Sequence, residues 1–195
     1  MMKKIFYVMG KSASGKDTVY KKIRERMPCL ETAVLYTTRP MREGERDGVE
    51  YFFTDFEEME KLSREGKIIE SRTYETVCGP WTYATVDDGQ FDRIREGCLM
   101  IGTLESYEKL RRYFGADRVI PIYVEVEDGL RLMRAVQRES EQKNPNYAEV
   151  CRRYLADEKD FDEQHLKEQG IEIRYENRDL EQCLEQILRD IKRSL

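Results

Sequence analysis

Gly10-Lys11-Ser12-Ala13-Ser14-Gly15-Lys16-Asp17-Thr18 follows an apolar run, Ile5-Phe6-Tyr7-Val8-Met9, and leads into Val19-Tyr20-Lys21-Lys22-Ile23-Arg24, whose pattern is helical. A strand, a glycine-bounded loop and a helix N-terminus in that order make a phosphate cradle. The loop amides point inward, the helix dipole favours negative charge, and Lys16 adds a point cation. The spacing Gly-x4-Gly-Lys is that of a Walker A loop, so Gly10, Ser12, Ala13, Ser14, Gly15, Lys16, Asp17 and Thr18 are the expected set for the phosphates of a nucleoside triphosphate or of another phosphate ester. One position departs from the pattern. Asp17 stands where a Ser or Thr hydroxyl normally meets magnesium, and the hydroxyl comes one residue later, at Thr18.

A chain of 195 residues suits one well-buried core, or one core with small mobile subdomains. Charged residues make up 37% with a net charge of only -5, so both signs are interspersed. That balance argues for a soluble protein and against nucleic acid or a membrane surface as partner. No apolar run reaches the length of a spanning helix, and Met1-Met2-Lys3-Lys4 runs directly into a core strand, so no signal peptide is expected. Cys29, Cys78, Cys98, Cys151 and Cys183 are odd in number and widely spaced, and His165 is the only histidine. Reduced thiols in a cytoplasmic protein are the expectation, ahead of a zinc site or a disulfide framework.

Residues 3 to 9 are expected as a buried strand, and roughly 15 to 27 as a helix that stops at Met27-Pro28. A short strand, Ala33-Val34-Leu35-Tyr36, delivers the chain into Thr37 to Gly48, a polar loop with two glycines, a proline and three arginines. Val49 to Phe53 reads as a strand, and Asp55 to Glu65 as a helix with Asp55 as N-cap and Gly66 as its stop. Ile68 to Tyr74 and Trp81 to Val86 alternate around Cys78-Gly79-Pro80 as a hairpin would. Further helices are expected from Asp87 to Glu96, Leu104 to Phe114, Asp128 to Glu141, Asn146 to about Glu163, and Leu180 to Ile191. The strands between them are Cys98 to Ile101, Arg118 to Val124 and Ile171 to Tyr175. Strands alternating with helices imply an α/β protein with a parallel sheet sandwiched by helices; residues 36–86 break the alternation as a strand-rich insert.

The segment Thr37-Thr38-Arg39-Pro40-x-Arg42-x-Gly44-Glu45-x-x-Gly48-x-x-Tyr51-x-Phe53 resembles the signature of guanylate kinases, and the likeness runs in order along almost the whole chain. It implies a P-loop NTPase core (about 1–35, 87–133 and 165–195), a monophosphate-binding subdomain (about 36–86) and a helical lid (about 134–164) within a single domain, 1–195. The implied activity is transfer of the ATP γ-phosphoryl group to GMP or dGMP, giving ADP and GDP or dGDP, with Mg²⁺ accompanying ATP. Physical reasoning about the acceptor side agrees. A monophosphate dianion needs forked donors, which Arg39 and Arg42 supply and lysines would not; Tyr51 and Tyr83 add phenolic hydroxyls. By resemblance, Glu70 would accept the N1 and N2 hydrogens of guanine, and Thr85, in Tyr83-Ala84-Thr85, would address O6. Arg138 and Arg153 match the lid arginines that close over the transferring group, with Arg134 assisting, and Asn177 matches an asparagine beside the donor base. Lys16, Arg39, Arg138 and Arg153 are therefore the expected catalytic set.

Three departures sharpen the reading. The strand that ends in two aspartates in guanylate kinases here carries Met100 and Gly102, a guanine-reading serine is replaced by Leu35, and Asp17 follows the loop lysine. A carboxylate about 4 Å from a phosphate oxygen repels it by about 4 kcal/mol at an effective dielectric of about 20. Asp17 must therefore either hold magnesium or turn away to brace the helix, leaving Thr18 to touch phosphate. The same departures resemble ribose 1,5-bisphosphate phosphokinases, whose loop also carries Gly-Lys-Asp. A guanylate-kinase-like binding module without strong catalysis is the remaining alternative; the retained Lys16 and acceptor arginines weigh against it.

Overall fold

Ile5 to Met9 are all buried, as a strand covered on both faces of a parallel sheet requires. The computed structural model describes residues 3–76 and 79–195; Cys78, at the turn of the expected hairpin, lies outside the described residues. The elements run β1 (Lys4–Met9), α1 (Lys16–Arg26), β2 (Leu30–Thr32), β3 (Tyr36–Thr37), β4 (Phe52–Phe53), α2 (Phe56–Arg64), β5 (Ile68–Thr76) and β6 (Gly79–Val86). They continue with α3 (Gln90–Arg93), β7 (Gly97–Ile101), α4 (Leu104–Phe114), β8 (Val119–Glu125), α5 (Asp128–Ser140), α6 (Tyr147–Asp160), α7 (Glu163–Glu168), β9 (Arg174–Glu176) and α8 (Leu180–Ser194).

The main sheet is five-stranded and parallel, in the order β2-β7-β1-β8-β9, with Ile5 level with Cys98 on one side and Val119 on the other. Side chains of β1 alternate between two helical layers. Ile5, Tyr7 and Met9 pack with Leu104, Tyr107 and Leu110 of α4, while Phe6 and Val8 pack with Val19 and Ile23 of α1 and Leu184 and Ile187 of α8. Each such fully buried aliphatic side chain contributes about 2 kcal/mol of transfer free energy. The carboxyl ends of β1, β7 and β8 open on one side, where parallel sheets of this kind place their ligands. The second sheet, ordered β4-β3-β6-β5, is mixed: β3 pairs β4 in parallel and β6 in antiparallel fashion, and β5 and β6 form the long hairpin. Among the described residues, no helix is long and apolar enough to cross a membrane.

Several expected elements shift for identifiable reasons. Residues 33–35 are not a strand, because the Gln90 carboxamide takes both backbone groups of the central residue: its Oε1 accepts from the Val34 amide at 2.9 Å, and its Nε2 donates to the Val34 carbonyl at 3.3 Å. The expected helix from Asp87 shrinks to α3. Gly89 is left-handed (φ 84), Asp88 caps the Gln90 amide, and buried Ile94 is already extended as the chain enters β7, so Gly97 opens that strand and does not close a helix. Val49 to Phe53 narrows to β4 plus an isolated bridge between Asp47 and Tyr51. The long helix from Asn146 ends at Asp160, and Asp162 caps a separate α7 through the His165 amide. Ile171 is tied back to the Leu166 carbonyl, so β9 starts later than the apolar alternation implies. Asp55 caps α2 as expected, accepting from the Glu58 amide at 2.8 Å.

Candidate active site

The loop between β1 and α1 is shaped by close approaches. A Cβ at Gly10 would overlap the Val124 carbonyl, and Gly15 is left-handed (φ 89) with Asn177 Nδ2 filling the space a side chain would need. Ala13 has φ 63, and it is the one non-glycine in that region among the described residues, a strained conformation of the sort that accumulates at functional loops. Gly15 provides no side-chain cap for α1, which leaves the first-turn amides available to an anion. Asn177 is buried and donates through Nδ2 to the Ser14 carbonyl at 2.8 Å, so its side chain braces the loop from beneath. Arg134, on α5, donates both Nη atoms to the Asn177 carbonyl at 3.3 and 3.2 Å. Lys16 Nζ rests 3.2 Å from Asp17 Oδ2, whose side chain is 74% exposed, and Thr18 is exposed too.

The residues expected on the acceptor side lie in and around the second sheet. Arg39 is 4% exposed, and its guanidinium lies 5.4 Å from the Tyr51 ring centroid and 5.6 Å from that of Phe53. Its fork is engaged by Glu45, with Nη1 to Oε2 at 3.0 Å and Nη2 to Oε1 at 2.8 Å. The Glu45 carboxyl is held below the usual range, first by that Arg39 hydrogen bond and then by the Arg42 amide, which donates to Oε2 at 2.8 Å. The Arg42 side chain is exposed. Tyr51 and Tyr83 stand edge to face, 5.6 Å between centroids, and burial raises the Tyr51 phenol.

Glu70 is 3% exposed, an unusual place for a carboxylate without partners. It is well supplied with donors. Thr85 Oγ1 donates to Oε1 at 2.8 Å, and Ser106 Oγ, from α4, donates to Oε2 at 3.0 Å. An ionised carboxylate only accepts, so the Thr85 hydroxyl proton is committed to Glu70 and reaches a purine O6 only by leaving it. Arg72 Nε lies 3.5 Å from Glu70 Oε2 without forming a hydrogen bond. A side chain at Gly102 would overlap the Tyr7 hydroxyl. That phenol is raised well above its ordinary value, by burial first and then by the charge of Glu70. Met100 is buried in the core beneath. Leu35 lines a cavity of about 570 Å³ together with Tyr51, Tyr83 and Arg72.

The arginines expected in a lid make no hydrogen bond or ion pair to the loop, residues 10–18, among the described residues. Arg138 is exposed on α5, and Arg153 donates to Glu149 Oε1 at 2.7 Å on its own helix. The α5 residue that does reach the loop is one the sequence reading missed, Arg131. It is 1% exposed, sits 4.1 Å over the Tyr154 ring, and pairs with Asp128 (3.1 Å), Asp157 (3.3 Å) and Glu158 (2.5 Å). Asp157 in turn accepts from the Ser12 amide at 2.8 Å, and Lys11 pairs with Glu158 at 2.7 Å, so α5, α6 and the loop are cross-linked by charge. Ser106 and Arg131 had no motif to mark them. Arg72 had one weak signal, its place two residues from Glu70 on the same strand face.

The parallel sheet in this strand order, with a glycine cradle at the end of its central strand and a polar pocket facing it from a second sheet, defines a P-loop nucleotide-binding protein. The guanylate kinase family model matches residues 2–187. The chain belongs to the guanylate kinase family. A guanylate kinase from Chlorobaculum tepidum is 38% identical over 133 residues, 67% of this chain and 66% of that protein. One from Frankia casuarinae is 49% identical over 61 residues, 31% of this chain and 33% of that protein. The aligned stretches thus span from about a third to just under two thirds of these relatives. The crystal structure of guanylate kinase from Anaplasma phagocytophilum shares the fold, with a TM-score of 0.61 at 23% identity, covering 98% of this chain and 85% of that one.

Proposed function

We propose that this protein transfers the γ-phosphoryl group of ATP to GMP or dGMP. The observation that carries the reading is Glu70, a buried carboxylate that accepts from two hydroxyls and keeps lone pairs for about two more hydrogen bonds, which a base reaches once the cover over its 1% exposed side chain opens. The N1 and N2 hydrogens of guanine supply that pair; adenine does not, and a site left with unpaired buried acceptors rejects it. A base-reading carboxylate has no use in a ribose bisphosphate kinase, which favours GMP over that alternative.

In this reading residues 36–86 hold the acceptor and residues 134–164 form the lid. Lys16 and the amides of residues 10–18 hold the ATP phosphates, while Arg39, Arg42, Tyr51 and Tyr83 hold the acceptor phosphate. Arg39 must loosen from Glu45 to do so, and the carboxylate then keeps the guanidinium aligned from its outer edge. The acceptor oxygen is already a nucleophile, so no general base is needed. Closure of α5 and α6 brings Arg138 and Arg153 over the transferring group and excludes water. Magnesium takes few protein ligands besides phosphate and water, and the exposed Asp17 carboxylate beside the cradle fits that donor set. When bound, the ion neutralises charge on the β- and γ-phosphates. Asn177 acts by bracing Ser14 near the donor nucleotide.

The test is ADP release with GMP, dGMP, AMP, UMP and ribose 1,5-bisphosphate as acceptors. GMP-dependent turnover lost in Lys16→Ala supports the proposal. GMP binding without turnover would favour a binding module, and turnover confined to ribose 1,5-bisphosphate would favour the other kinase.

A further inference from the structure

We propose that Arg72 is a catalytic residue of this site, donating to the peripheral oxygens of the phosphoryl group in transit. The inference rests on the function proposed above and adds a residue to it. Arg72 follows Glu70 by two on β5 and lies opposite Tyr83 on β6, so strand alternation places it on the base-reading face, one step closer to the acceptor phosphate. With Tyr74, it lines two cavities at once. One, of about 570 Å³, contains Tyr51, Tyr83 and Glu45; the other, of about 700 Å³, contains Gly10, Ser12 and Lys16. The guanidinium therefore stands in the wall between the acceptor pocket and the phosphate cradle, where the transferred group must pass.

Its hydrogen-bonding capacity is largely unspent. Of five donors, only Nη1 makes a hydrogen bond among the described residues, to Thr103 Oγ1 at 3.0 Å, and Nε is buried without an acceptor. Glu70 is the acid beside it, 3.5 Å from Nε; Glu105 pairs with Lys109 at 2.7 Å, Glu108 meets His165, and Asp157 holds Arg131 and the Ser12 amide. No carboxylate can occupy position 102, because the Tyr7 hydroxyl fills that space. A planar fork beside a pocket for phosphate, ion-paired with Glu70 through Nε and with neither Nη atom hydrogen-bonded to that carboxylate, is suited to oxygens that carry spread negative charge.

In the step itself, an oxygen of the acceptor phosphate forms a bond to the γ-phosphorus. The bond from that phosphorus to the β,γ-bridging oxygen breaks, and its electron pair leaves with ADP. No proton moves. Arg72 donates N–H hydrogen bonds that strengthen as charge gathers on the peripheral oxygens.

Steady-state kinetics and GMP calorimetry on Arg72→Ala and Arg72→Lys test the proposal. The expected result is a fall in kcat of about 100-fold for Arg72→Ala and about 10-fold for Arg72→Lys, with KM and Kd for GMP within about threefold of wild type. Should Arg72→Ala fail to fold, the lysine variant carries the test by the same kcat criterion. A kcat within about threefold of wild type in both variants overturns the role. So does a loss of preference for GMP over IMP at unchanged kcat, which is what a mere counter-ion for Glu70 would produce. A wild-type protein that binds GMP but forms no GDP overturns the proposed function, and this role with it.

Discussion

Replacing Glu70 by glutamine changes one oxygen into a nitrogen, and the structure lets its cost be worked out. The carboxylate accepts from Thr85 and Ser106 and, in the proposed complex, from two guanine N–H groups. An amide keeps one acceptor oxygen and turns the other position into a donor, so one hydroxyl must rotate away and one guanine N–H faces another N–H. A hydrogen bond to a charged group is worth about 1.5–3 kcal/mol, and an unpaired buried donor costs a similar amount. Burying a neutral amide in place of a charge offsets part of this, leaving a net loss of about 2–3 kcal/mol, or about 30- to 150-fold in kcat/KM for GMP. The assay is ADP formation with GMP and with IMP, which lacks the N2 amine. Glu70→Gln should lose more against GMP than against IMP, because only GMP presents both hydrogens. An equal fall for both, or a change within about threefold for GMP, would refute the assignment of Glu70 to the base edge.

Asp17→Asn should shift the magnesium dependence of turnover to higher concentration; an unchanged titration would mean that Asp17 only braces α1. Gly102→Ala should destabilise the fold by about 1–3 kcal/mol through overlap with the Tyr7 hydroxyl, and Tyr7→Phe combined with it should recover most of that in denaturant titrations. Glu149, at the start of α6, is pulled down to about 2, first by Arg152 and then by Arg153. Between its ordinary value and about 2 the unfolded chain binds the extra proton, so stability present above that window is lost as pH falls through it. Glu149→Gln should therefore flatten the melting temperature against pH in this acid range, and an unchanged slope would show the pair contributes nothing there.

The core was legible where the chain signals locally. The apolar run of β1, the glycines at 10 and 15, the Asp55 cap and the hairpin of β5 and β6 each follow from neighbouring residues. What escaped is held by groups distant in sequence. Val34 would be strand by its own pattern, yet a carboxamide 56 residues away takes its hydrogen bonds. Glu70 was legible as a position, but not its partner Ser106, 36 residues on. Arg39 was legible as a forked donor in a polar loop; that Glu45 fills the fork depends on how the loop 40–48 folds back. Arg131 looked like one more charge on a helix face. Its burial among Asp128, Asp157 and Glu158 depends on α5 packing against α6, which periodicity alone does not specify.

Acceptor-dependent ADP formation, measured with wild type and with Lys16→Ala, decides whether this protein is a GMP kinase. Turnover with GMP or dGMP should exceed turnover with AMP, UMP or ribose 1,5-bisphosphate and should disappear in the lysine variant. Equal turnover with every acceptor, or none with GMP, would contradict it.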